Sequence, residues 1–163
     1  MLGSTRLRIN GDAGNDTLTG STGDDSLDGG EGDDAVSGGL GHDLLLGGAG
    51  SDRLNGDAGD DSLNGGDDND VLRGFDGNDA ILGGNGDDSV LAGLGNDTVS
   101  GDAGADTING EAGNDFLSGS FGADTLSGGD GADTLDGDMF NDSVSGGAGD
   151  DLLRGGYNLA AAC

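Results

Sequence analysis

The sequence contains no proline, no tryptophan and no lysine, and its 163 residues include one tyrosine, four phenylalanines and one cysteine. Three per cent aromatics leaves too little large apolar surface for an ordinary globular core. The lone cysteine, Cys163, is the last residue and excludes an intrachain disulfide. Positive charge is scarce as well: the five basic residues are all Arg, set against 31 Asp and two Glu, for a net charge of −28. So acidic a chain repels phosphate backbones and anionic lipid headgroups, which argues against nucleic acid and membrane insertion and leaves cations or basic surfaces as partners. There is no apolar run of 18 residues, so no membrane-spanning helix is expected. Met1 to Asn10 lacks the apolar stretch of a cleavable signal peptide, and none is expected.

The abundant residues follow a strict order. Glycine, with 40 copies, and aspartate recur with a period of nine from Gly11 to Arg154, making sixteen units without insertion or deletion. Counted from the first glycine of each unit, position six is Asp and position eight is Leu, Ile or Val in all sixteen. Position one is Gly except at Ala92, position four is Gly except at Asp68 and Phe140, and position two is Gly in half of the units.

Such a unit suits a turn followed by a short strand. In Gly83-Gly84-Asn85-Gly86-Asp87-Asp88 the glycines reach positive φ without steric cost, which predicts a loop over the first six positions. The next three residues, Ser89-Val90-Leu91, read as a brief strand whose central side chain points inward and whose neighbours point outward. Helix is disfavoured, because each interior glycine costs about 1 kcal/mol relative to alanine. Two units return the chain above its starting point, so the expected architecture is an all-β solenoid with two nonapeptides per coil. Its two facing parallel sheets would stack at about 4.8 Å per coil, for roughly 40 Å in all. One sheet would present Leu18, Val36, Leu54, Leu72, Val90, Ile108, Leu126 and Val144. The other would present Leu27, Leu45, Leu63, Ile81, Val99, Leu117, Leu135 and Leu153, and these sixteen aliphatic side chains would form the entire core. That is thin against the entropy of ordering the chain, and the acidic charge opposes compaction further.

The same periodicity puts the position-six aspartates in two columns. One holds Asp16, Asp34, Asp52, Asp70, Asp88, Asp106, Asp124 and Asp142; the other holds Asp25, Asp43, Asp61, Asp79, Asp97, Asp115, Asp133 and Asp151. Carboxylates stacked one coil apart repel one another unless a cation lies between them. Oxygen donors without His or Cys select a hard cation, and glycine loops supply carbonyls in a flexible cage, which suits Ca2+ better than Mg2+. The gaps between coils would offer about 14 sites.

The unit Gly83-Gly84-Asn85-Gly86-Asp87-Asp88-Ser89-Val90-Leu91 resembles the RTX (repeats-in-toxin) nonapeptide, also known as the hemolysin-type calcium-binding repeat, and the resemblance covers residues 11 to 154. It implies a right-handed parallel β-roll in which position-six Asp and loop carbonyls of neighbouring coils hold Ca2+. It also implies type I secretion without an N-terminal signal peptide, folding on meeting extracellular Ca2+, and a fused or neighbouring toxin or enzyme domain. Residues 1–10 and 155–163 then read as an N-terminal cap and a C-terminal partial repeat with a tail, with Ile9 and Leu159 closing the core of a monomer.

Several positions depart from the pattern. Asp68 and Phe140 put side chains where glycine is the rule, so the sites of Asp70 and Asp142 are expected to be irregular, with Phe140 the harder to fit. His42, the only histidine, falls at position five and reads as a solvated loop residue. No catalytic triad can be assembled around it, so the chain is not expected to be an enzyme. Leu44, Leu46, Leu82, Phe116 and Leu152 fall at outward positions and read as isolated exposed residues. The leading functional expectation is a calcium-binding module that folds outside the cell and supports secretion and stability of an exported protein. The alternative is a structural or adhesive β-roll presenting a surface to polysaccharide; an ice-binding face is disfavoured because position three, with Ala13, Thr22, Glu31 and Leu40, has no regular ladder.

Overall fold

A computed structural model describes residues 6–156. It contains β-strands and no helix among the described residues. β1 (Arg8–Asn10) and β2 (Thr17–Thr19) open the array, and twelve six-residue strands follow at nine-residue intervals, from β3 (Ser26–Glu31) to β14 (Thr125–Asp130). β15 (Thr134–Asp136), β16 (Ser143–Ala148) and β17 (Leu152–Arg154) complete it. Odd-numbered strands form a nine-stranded parallel sheet and even-numbered strands an eight-stranded one, each in sequence order. Every pairing joins residues 18 apart, as in Leu45↔Leu63 and Val90↔Ile108. This is the parallel β-roll expected from the period.

The strands are longer than the sequence suggests. Position eight is buried and position seven exposed, but the alternation continues through position nine to position one, which is buried as well. Positions two and three then pair with the next coil, as in Gly48↔Gly66 and Ala49↔Asp67, so the loop shrinks to positions four to six. The expected six-residue loop is therefore corrected to three. The reason is a second positive-φ residue. Position two bends the chain, as at Gly48 (φ 114°), without ending its hydrogen bonding to the coils above and below. Where this position is not glycine, Asp57, Phe75, Asp102 and Glu111 adopt the same conformation, with φ from 70° to 75°.

The core is a double file of aliphatic side chains running from Leu18 to Leu135, with Ile9 and Val144 partly buried against its ends. Ala92, at position one, is the one methyl that the glycine column contributes to it. Leu153, expected in the core, is instead 47% exposed. Leu159 and Cys163 lie outside the described residues. At Phe140 the roll is locally irregular: β15 stops at Asp136, and beyond it the ladder keeps one isolated bridge, Phe121↔Met139. Phe140 itself takes φ 84°. Asp68 takes φ 74° and disturbs nothing nearby, because Asp70 stays buried and fully in register. The expected irregularity thus holds at Phe140 and not at Asp68, in keeping with the greater tolerance of Asp for the left-handed region.

Candidate metal centre

Each position-six aspartate ends a three-residue loop and starts the next strand. Thirteen of them, from Asp25 to Asp133, are at most 3% exposed, and Asp16, Asp142 and Asp151 at the two ends are half-buried. The two columns stand where the period puts them. One feature was not anticipated: the carboxylates do not simply face one another. From Asp34 to Asp151 each Oδ1 accepts the backbone N–H of the position-six Asp one coil earlier, as in Asp52 N–H to Asp70 Oδ1 at 2.8 Å and Asp79 N–H to Asp97 Oδ1 at 2.8 Å, and Asp25 Oδ1 accepts Leu7 N–H. Half of each carboxylate from Asp25 to Asp151 therefore staples coil to coil. A signal existed in the sequence, since the amide that ends each loop needs an acceptor once buried.

The other half is unsatisfied. Among the described residues, Oδ2 is buried without a hydrogen-bond partner in Asp16, in Asp142, and in every position-six Asp from Asp34 to Asp133. Asp25 is the exception inside the array, because Ser21 N–H turns onto its Oδ2 at 2.5 Å. Burying a carboxylate oxygen with no partner is costly, so fourteen such atoms in register call for a ligand.

Position-one glycine lies hard against these oxygens, with no room for a side chain. A Cβ built on Gly56 would stand 2.5 Å from Asp61 Oδ2 and 2.9 Å from the carbonyl oxygen of Gly74, one coil further on. The corresponding points on Gly29, Gly47, Gly65 and Gly83 press equally on an aspartate Oδ2 and a carbonyl of the next coil. Near the end of the array, a Cβ on Gly156 would meet Asp142 Oδ2, Asp138 O at 2.8 Å and Phe140 O at 3.0 Å, so three oxygens crowd that one point. Calcium–oxygen distances are about 2.3–2.6 Å. At these glycines an aspartate Oδ2 and a carbonyl oxygen of the next coil thus stand side by side, an all-oxygen donor pair of the kind a hard cation takes. No three His, Cys, Asp or Glu side chains cluster among the described residues, so most donors would be backbone carbonyls.

The electrostatics agree. Burial, with the charge of neighbouring carboxylates adding to it, pushes Asp61, Asp70 and Asp106 up to about 7, and Asp52, Asp88 and Asp97 up to about 6. Burial likewise raises Asp43, Asp79, Asp115 and Asp124. At Asp25 burial is outweighed by the N–H groups of Leu7 and Ser21 and the charge of Arg6, and its carboxyl falls below the ordinary range. A cation beside the raised carboxylates would reverse their shift.

The position-five column is a second ladder that the sequence reading missed. Its side chains accept the N–H one coil later, as in Asn78 Oδ1 from Asn96 at 2.9 Å and Asp87 Oδ1 from Ala105 at 2.8 Å. His42 is exposed as expected, yet it belongs to this ladder: its Nδ1 accepts the Asp60 N–H at 2.9 Å. The outward leucines are less isolated than expected. Leu44, Leu46 and Leu82 line a shallow groove of about 300 Å³ with Asn64 and Ala80, while Phe116 is 49% and Leu152 54% exposed.

No curated protein matches the chain. The family described as the RTX calcium-binding nonapeptide repeat (4 copies) matches at residues 10–45, 37–72, 46–81, 59–90, 73–108, 91–126, 109–144 and 136–157. With nearly the whole roll covered, the chain belongs to the RTX calcium-binding nonapeptide repeat family.

Proposed function

We propose that the chain is a non-catalytic module that folds on binding extracellular Ca2+, its position-six aspartates serving as ligands, and that it supports secretion and stability of an exported protein. The observation that carries this reading is the register of fourteen buried Oδ2 atoms without hydrogen-bond partners, each next to a position-one residue that is glycine at all but one of the sixteen units. The Oδ1 atoms hold the loops in register and leave the Oδ2 atoms unpartnered, and the position-one carbonyl of the next coil adds a neighbouring oxygen donor. Bound Ca2+ supplies charge neutralisation and an oxygen-coordinating centre that fixes adjacent coils together. Because such a cradle exists only when two coils are stacked, ligand binding adds directly to folding free energy.

Without the ion, an acidic, glycine-rich chain with one core side chain per nonapeptide stays expanded, which suits passage through an export channel from a calcium-poor cytosol. Residues 1–10 and 155–163 act as end caps in this reading. Extracellular modules bind Ca2+ at about 10⁻⁴ to 10⁻³ M. Circular dichroism is expected to show cooperative appearance of β-structure over that range; an identical spectrum in chelator and in millimolar Ca2+ rejects the reading.

A further inference from the structure

The two aspartate columns are not equivalent. Along the column from Asp16 to Asp142, position one of every unit is glycine: Gly11, Gly29, Gly47, Gly65, Gly83, Gly101, Gly119 and Gly137. Along the other column it is glycine except at Ala92, the unit that carries Asp97. The residues on either side of Ala92 keep the common register, with Leu91 paired to Arg73 and Asn109, and Gly93 to Phe75 and Glu111. Asp97 is placed like its neighbours: it is 2% exposed, its Oδ1 accepts the Asp79 N–H, and its Oδ2 has no hydrogen-bond partner. Ala92 is fully buried. Its methyl group therefore projects from the same backbone position at which a Cβ on Gly56 would crowd both the aspartate Oδ2 and the carbonyl of the next coil.

We infer that Ala92 closes the cradle beside Asp97, so that this coil edge lacks the Ca2+ that equivalent units hold and the second column is split into two runs of sites. The inference rests on the calcium reading above and adds which unit departs from it. A methyl group cannot act as a ligand, and by analogy with Gly56 it crowds the two oxygens, Asp97 Oδ2 and the Gly110 carbonyl, that the ion would have to reach. The neighbouring unit is unaffected, because the carbonyl of Ala92 still faces the Gly74 cradle beside Asp79.

The test counts Ca2+ per folded chain by native mass spectrometry for the full chain, for A92G and for G110A, with near-ultraviolet-independent folding checked by circular dichroism. A92G installs the residue found at the other fifteen units and is expected to fold and bind one more ion than the parent. G110A places a methyl beside Asp115 and is expected to bind one fewer. If the parent binds Ca2+ and G110A loses one ion while A92G gains none, the inference about Ala92 is wrong and the calcium reading stands. If neither variant changes the count, position one is not the cradle and the inference fails with it. If the parent binds no Ca2+, both readings fall together. Should G110A not fold, the A92G count alone decides.

Discussion

At the residue scale, each position-six aspartate has two tasks, and its two oxygens divide them. Oδ1 is an acceptor for a backbone amide whether or not the group is charged, whereas Oδ2 is buried without a partner and, in the proposed reading, meets a cation. Asp70→Asn separates them, since the amide oxygen can keep the bond from Asp52 N–H while the charge and the second acceptor are lost. In chelator, where the parent is expanded, this variant is expected to show more residual β-structure by circular dichroism, because a buried charge pushed up to about 7 is gone. In Ca2+ it is expected to be less stable, because a ligand is gone. The loss in Ca2+ is read as a melting temperature, at about 2–4 °C per kcal/mol for a chain of this size, and a change in the same direction under both conditions would refute the division of labour. The raised carboxyls also fix a pH dependence for the metal-free chain. A group whose folded pKa exceeds its unfolded value of about 3.9 contributes its full stability below that value and loses it as pH rises to the folded value. With Asp61, Asp70 and Asp106 near 7 and Asp52, Asp88 and Asp97 near 6, acidification from pH 7 to 4 in chelator is expected to increase β-structure. A far-ultraviolet titration showing a loss over that window contradicts it.

At the element scale, the period of nine made the sheets, their register and the inward position legible, because Leu, Ile or Val at position eight cannot be arranged otherwise without exposing the core file. The strand ends were not legible. A glycine pair at positions one and two looks like a loop in sequence, yet one of the two faces the core within a strand and the other bends it, a distinction that depends on contacts 18 residues away. The position-five ladder was hidden for a similar reason: Asn, Asp and His share no sequence signature there, only the ability to accept a hydrogen bond. The Phe140 irregularity was legible, because a bulky residue is strained at positive φ. That strain is testable. Phe140 is 53% exposed, so Phe140→Gly forfeits little burial and relieves a left-handed conformation worth about 1–2 kcal/mol. The expected outcome is a more stable Ca2+-bound roll by roughly that amount, read by denaturant unfolding. Destabilisation would mean that the phenyl ring packs usefully where it stands.

At the scale of the whole molecule, a net charge of −28 on so narrow a core raises the question of whether calcium acts only as a strong screening ion. General screening and site binding make different demands. At about 1 M monovalent salt the Debye length falls to about 3 Å, shorter than the roughly 4.8 Å between coils, so most of the repulsion between charges on successive coils is removed. The buried Oδ2 atoms would nevertheless remain without partners, because entering the cradle requires an ion to exchange its water for carboxylate and carbonyl oxygens. Mg2+ has the same charge as Ca2+, but it holds its water tightly and demands near-octahedral geometry at about 2.0–2.1 Å, which a cage of loop carbonyls does not supply. Small-angle scattering is therefore expected to find the chain expanded in chelator, with a radius of gyration approaching the roughly 40 Å of an unfolded chain of this length. It should contract only modestly in molar NaCl, incompletely in millimolar Mg2+, and to a compact rod in millimolar Ca2+. Equal compaction by NaCl and Ca2+ would show that charge density alone keeps the chain open and that the glycine cradles bind nothing in particular.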